Sequence, residues 1–177
     1  MSKTIILLGP SGAGKSSTAK LLSETLSCPC LDCDKAIEAK TGQSIAALFK
    51  EHGEERFRAI ENQLLDELLA QKNLMPQVIA CGGGLPIGDG NMEKLKILGQ
   101  TIYLTAQVET LAKRIGSQDS RPLLAANEPE QLTEKIRQLL TRRQKIYEQA
   151  HLTIDTDAKT VAEVVAEIQR ILTNTTL

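Results

Sequence analysis

Ile5-Ile6-Leu7-Leu8-Gly9-Pro10-Ser11-Gly12-Ala13-Gly14-Lys15-Ser16 is the stretch that decides the fold. A short apolar run feeds a glycine-rich octet that satisfies G-x-x-x-x-G-K-[ST] in full, and a helical pattern opens at Lys15. Strand, loop and helix in that order are the context a phosphate loop needs. Glycines let the chain turn so that successive N–H groups converge on phosphate oxygens. The following helix adds the positive end of its dipole. Gly12, Ala13, Gly14, Lys15, Ser16 and Ser17 are therefore the expected phosphate cradle. Lys15 is expected to neutralise β- and γ-phosphate charge, and the Ser16 hydroxyl to ligate Mg²⁺. A chance glycine-rich turn is the competing reading, and the register of strand, loop and helix speaks against it. The motif specifies a nucleoside triphosphate and leaves the acceptor open.

Outward from this loop, short apolar runs alternate with longer helical patterns. Strands are expected at Thr4–Leu8, Cys30–Cys33, Val78–Cys81, Thr101–Leu104 and Leu152–Ile154. Helices are expected at Lys15–Leu26, Glu54–Gln71, Asn91–Leu98, Val108–Ile115, Pro129–Ala150 and Val161–Thr173. Such alternation predicts an α/β three-layer sandwich around a five-stranded parallel sheet, with ligands beyond the carboxyl ends of the strands.

The 177 residues suit one domain running from 1 to 177. Lys plus Arg is 21 and Asp plus Glu is 22, a net charge of −1. This balance offers no electrostatic case for nucleic acid or an anionic membrane. No apolar run is long enough to span a bilayer. Met1-Ser2-Lys3-Thr4 leads into the first strand without a signal-peptide layout, so a cytoplasmic location is expected. Of the cysteines, Cys28, Cys30 and Cys33 suggest a metal cluster. However, Cys30 and Cys33 in one strand point to opposite faces, which favours buried, reduced thiols, Cys81 included.

Asp32 and Asp34 are two apart, so in an extended segment both point to one side. One suits the Mg²⁺ shell and one the proton of an attacking hydroxyl; alternatively, Asp34 caps the turn that follows. Arg58 borders an apolar stripe (Phe57, Ile60, Leu64, Leu65, Leu68) with Glu61 a turn away, which reads as a solvated edge with an ion pair. Arg143 lies on the apolar stripe of Pro129–Ala150, between Leu139 and Tyr147, so it needs an anion: Glu61, or a ligand carboxylate or phosphate. Gly82-Gly83-Gly84 at a strand end lets a ligand approach bare backbone, or makes a tight turn. Gly116–Pro129 is polar and proline-punctuated, an expected mobile lid with Arg121 inside it.

These blocks together resemble the shikimate kinase family of nucleoside monophosphate kinase-like phosphate-loop proteins. The resemblance runs from Ile5 to about Asp155. Beside the phosphate loop it rests on Leu31-Asp32-Cys33-Asp34, Thr41-Gly42-Gln43-Ser44-Ile45, the Gly53–Glu61 block, Gly82-Gly83-Gly84, Arg121-Pro122-Leu123-Leu124 and Arg143 through Tyr147. It implies transfer of the γ-phosphate of ATP, with Mg²⁺, to the 3-hydroxyl of shikimate, within chorismate and aromatic amino acid biosynthesis. It also implies a monomer.

By resemblance, Lys15 and Ser16 serve ATP and Mg²⁺, Asp32 is an outer metal carboxylate, and Asp34 grips shikimate hydroxyls and takes the proton. Arg58 and Arg143 bind the shikimate carboxylate, Gly82 and Gly83 face the substrate, and Phe49 and Phe57 line the pocket. Arg121 is the lid arginine and Arg114 stacks on adenine. The acceptor-binding segment is about 33–61 and the lid about 116–129. Cys33 stands where the family usually has Ser or Thr. Gluconate kinase and nucleoside monophosphate kinase share the fold and loop, and a nucleotide-dependent switch is a reading of another class. The Gly53–Glu61 block and the triple glycine favour shikimate.

Overall fold

A computed structural model describes residues 3–71, 75–116, 124 and 128–174. In chain order the elements are β1 (Ile5–Leu8), α1 (Lys15–Leu26), β2 (Cys30–Asp32), α2 (Cys33–Thr41), α3 (Ile45–Ala70) and β3 (Val78–Ala80). A 3-10 turn at Leu85–Ile87 is followed by α4 (Asn91–Leu98), β4 (Gln100–Thr105), α5 (Val108–Ile115), α6 (Pro129–Tyr147), β5 (Leu152–Asp155) and α7 (Val161–Asn174). The five strands form one sheet in the order β2-β3-β1-β4-β5. Every pairing is parallel, with Ile5 opposite both Val78 and Gln100. The expected five-stranded parallel sandwich is the architecture observed.

Alternation along the strands builds two cores. Ile5, Leu7, Ile102 and Leu104 pack with Leu22 of α1, Leu111 of α5, Ile136 of α6 and Ile168 of α7. Ile6, Leu8, Ile79 and Tyr103 face the other way, against Leu65 of α3, Met92 and Leu95 of α4, and Tyr147 of α6. Strands buried on both faces read as unbroken apolar runs, as Ile5–Leu8 does. Each fully buried Leu or Ile contributes about 1.5–3 kcal/mol relative to exposure.

Two departures from the sequence reading bear on the site. Cys30–Cys33 is not a four-residue strand: β2 stops at Asp32, and Cys33 opens α2. Hence Asp32 and Asp34 do not share one face of a strand. Asp32 caps α2, its Oδ1 accepting the Lys35 N–H at 3.2 Å, while Asp34 sits in the first helical turn. The cap that was the alternative role for Asp34 is thus made by Asp32. Helix α3 also starts before Glu54. At Gly53, with φ of 76°, the chain leaves helical geometry, separating an arm that begins at Ile45 from the packed length beyond. A left-handed φ of this kind is open to glycine at little steric cost.

The cysteines divide by location. Cys33 and Cys81 are buried, Cys28 is half-buried and Cys30 is exposed, so burial as expected applies to two of the four. Hydrogen bonding to Cys81, then burial, pushes the Cys33 thiol well up, so it stays protonated. Among the described residues no helix is long and apolar enough to cross a membrane.

Candidate active site

The first strand ends at the centre of the sheet, where connections diverge to either side, and the loop after it lies at that switch point. Gly12 and Gly14 have φ of 80° and 86°, and Gly14 is the N-cap of α1, so the loop runs directly into a helix start. Lys15 folds back over the loop, its Nζ donating to the Pro10 carbonyl at 2.9 Å.

Two cavities meet at this loop. One, of about 440 Å³, is lined by Gly12 through Thr18 together with Arg114, Thr156, Lys159 and Thr160. Arg114 is held against the end of β5: its Nη1 donates to Thr156 Oγ1 at 2.9 Å and its Nη2 to the Thr156 carbonyl at 2.6 Å. Thr156 in turn donates to the Thr105 carbonyl at 3.0 Å, tying the arginine to β4. This cavity gathers Gly12, Ala13, Gly14, Lys15, Ser16, Ser17 and Arg114, all singled out from sequence. Thr156 and Lys159 were missed. The only signal was position, since both follow the last strand.

The other cavity, of about 230 Å³, is lined on the loop side by Pro10, Ser11, Lys15 and Ser16. Asp32, Asp34 and Glu38 come from the end of β2 and from α2; Ser44, Phe49, Phe57, Arg58 and Glu61 come from the arm and α3. Cys81, Gly83 and Gly84 close the sheet side, and Leu140, Arg143 and Tyr147 the α6 side. Lys15 and Ser16 line both cavities and are their common wall. Glu38, one turn beyond Asp34, became legible only once α2 existed.

Charge in this cavity is arranged in opposed groups. Arg58 bridges Glu54 at 2.8 Å and Glu61 at 2.5 Å. Glu61 is 2% exposed. Burial pushes it up to about 7, although Arg58 and, more weakly, Arg143 pull it down. Glu61 thus pairs with Arg58 rather than with Arg143, and Arg58 is not a solvated edge. Arg143 is half-buried and lines the cavity, while Arg142 is exposed, as the helical stripe predicts. The Phe49 and Phe57 rings lie 4.8 Å apart, and the Arg58 guanidinium sits 5.5 Å from the Phe57 centroid.

The glycines behave differently from one another. A Cβ on Gly82 would fall 2.5 Å from Asp34 Oδ1 and 3.0 Å from Glu61 Oε1; one on Gly84 would fall 1.8 Å from Arg58 Nη1. Gly82 is buried behind these carboxylates and is not on the cavity wall, whereas Gly83 and Gly84 are. The residues of the wall therefore differ by one step from Gly82 and Gly83. Arg121 lies outside the described residues, as does most of the expected lid.

The sheet order, the loop at its switch point and the paired cavities define a phosphate-loop kinase of the nucleoside monophosphate kinase-like group. Its fold is shared by a gluconokinase from Sinorhizobium meliloti, with a TM-score of 0.57 at 18% identity over 97% of this chain and 94% of that one. The family model described as Shikimate kinase matches residues 11–173, and the chain belongs to the shikimate kinase family. Shikimate kinase from Persephonella marina is 39% identical over 94% of this chain and 96% of that protein. The structure of shikimate kinase from Acinetobacter baumannii in complex with shikimate has a TM-score of 0.90 and 36% identity, covering 99% of this chain and 95% of that one.

Proposed function

We propose that this chain transfers the γ-phosphate of ATP to the 3-hydroxyl of shikimate, giving shikimate 3-phosphate and ADP. The observation that carries this reading is the common wall: Lys15 and Ser16 face a phosphate-loop cavity on one side and, on the other, a smaller cavity whose largely apolar wall carries Asp34, Arg58, Glu61 and Arg143. A phosphoryl group passing between the cavities would cross at these two residues. The acceptor cavity, about 230 Å³, is below the ~300–1,000 Å³ that drug-sized ligands fill, which favours a small acid over a nucleoside monophosphate.

The donor side takes ATP. N–H groups from Gly12 to Ser17 hold phosphate, Lys15 neutralises it, and Arg114 stacks on adenine. On the acceptor side Arg58 and Arg143 clamp the carboxylate, Phe49 and Phe57 hold the ring, and Gly83 presents backbone. Asp34 holds the hydroxyl and accepts its proton as the oxygen attacks the γ-phosphorus. Phosphoryl transfer needs positioning and charge stabilisation more than covalent help, which this division supplies.

Mg²⁺ fits the donor set. Ser16 offers a hydroxyl and Asp32 a carboxylate whose Oδ1 caps α2. Among the described residues no group of three or more His, Cys, Asp or Glu could hold a metal. Mg²⁺ suits such a sparse site, because it keeps waters and takes phosphate oxygens. When bound it neutralises charge on the β- and γ-oxygens.

The chain works as one kinase domain over 1–177, with 33–61 binding acceptor and 116–129 as lid, in the cytoplasm and as a monomer. An ADP-release assay with shikimate, gluconate and AMP in turn tests the reading. Shikimate alone should raise ADP release; gluconate or AMP doing so in its place would overturn it.

A further inference from the structure

We infer that Tyr147 is a positioning residue of the acceptor cavity, holding the Gly83 peptide and seating Arg143. The inference rests on the acceptor reading above and adds a residue to it.

The geometry starts from three glycines in a row. Gly82-Gly83-Gly84 has no side chains of its own to restrict its backbone. Its shape must be braced from outside. Tyr147 supplies that brace: its hydroxyl donates to the Gly83 carbonyl at 2.5 Å, joining the end of α6 to the segment that follows β3. A carbonyl so held fixes the plane of the Gly83–Gly84 peptide, and with it the direction of the Gly84 N–H on the opposite side. Both glycines line the acceptor cavity.

The phenol is itself rigid. Tyr147 is 0% exposed, and its ring packs against Tyr103 of β4 at 5.3 Å between centroids. Burial pushes the phenol up to about 12, with the charge of Arg143 pulling the other way. It therefore stays protonated at working pH and its single proton stays committed to Gly83.

Arg143 lies four residues earlier on the same helix, so the two side chains are neighbours on one face. With its proton committed, the phenol oxygen presents only lone pairs to the adjacent guanidinium. Tyr147 thereby gives Arg143 a fixed oxygen to lie against while the guanidinium faces the cavity. One hydroxyl sets two elements of the same wall.

The test uses the full-length protein and steady-state kinetics of Tyr147→Phe, which keeps the ring and removes the hydroxyl. The shikimate KM should rise roughly 3- to 15-fold, as expected for one lost hydrogen bond, with the ATP KM and kcat within twofold. In an Arg143→Ala background the same substitution should raise the shikimate KM by a clearly smaller factor than in the parent, because the part that runs through Arg143 is gone while the Gly83 part remains. Tyr103→Phe is the control for general softening of this core, and it should leave the shikimate KM unchanged. An unchanged KM in Tyr147→Phe, an equal rise in Tyr103→Phe, or full additivity with Arg143→Ala would overturn the inference. A parent protein that does not turn over shikimate would instead overturn the proposed function, so the two failures are distinguishable.

Discussion

Arg58 and Glu61 are joined at 2.5 Å one helical turn apart, and the carboxylate of the pair is the buried partner. An ion pair in the wall of this cavity has two consequences. It holds the guanidinium in place, and it keeps an ionisable carboxyl where water is scarce.

The first prediction is a pH dependence. Burial raises Glu61 from 4.5 to about 7, so folding favours its protonated form. The resulting stability is fully present below about pH 4.5 and is lost as pH rises through 7. The loss should approach about 3 kcal/mol at most. Urea unfolding of the parent and of Glu61→Gln at pH 4.5 and pH 8 checks this. The parent should lose stability relative to the variant across that window. A constant difference between the two proteins would refute it.

Gly84 supports a second prediction. A methyl group there would meet Arg58 Nη1 at 1.8 Å, the far end of a flexible side chain rather than backbone. Gly84→Ala should fold and displace the guanidinium, weakening shikimate binding roughly 10-fold or more while sparing ATP. Calorimetric titration with each ligand measures both. Retained shikimate affinity would show that the position of Arg58 is not critical.

Asp34→Asn tests the proton acceptor. Positioned acid–base groups contribute ~10²–10⁴-fold, so turnover should fall by that factor with ATP binding retained. Near-parental turnover would remove Asp34 from this role.

For the carboxylate clamp, the informative ligand is a shikimate analogue with its carboxylate reduced to an alcohol. Arg143→Ala should weaken shikimate binding roughly 10- to 150-fold, as for one charge-assisted contact. The analogue should bind the parent poorly and the variant almost as well as shikimate does. Equal affinity of the parent for both ligands would dispose of the clamp.

Arg121→Ala addresses the transition state. Arginine fingers in related phosphate-loop proteins contribute ~10³–10⁵ in rate. With Lys15 in place, the low end or less is expected, seen in kcat far more than in shikimate binding. Single-turnover kinetics separates the two, and an unchanged chemical step would exclude Arg121 from it.

The sequence alone determined the class of fold and most of the residues that gather in the phosphate-loop cavity. Ile5–Leu8 and the loop after it were legible because their signals are local: an apolar run buried on both faces, glycines at left-handed turns, and a lysine at a helix start. The Arg143 stripe was legible for the same reason, since helical periodicity is written in spacing. The boundary at Gly53 showed as the start of a helical pattern at Glu54, although the arm before it did not. Tertiary structure decided what spacing cannot carry. It ended β2 at Asp32 and gave the cap to that residue, and it chose Arg58 over Arg143 as the partner of Glu61. It put Gly84 rather than Gly82 on the cavity wall and brought Tyr147 to Gly83 across 64 positions. Pair choices of this kind depend on which elements come to lie side by side. They are settled by desolvation and hydrogen-bond satisfaction in the packed molecule, which no local pattern records.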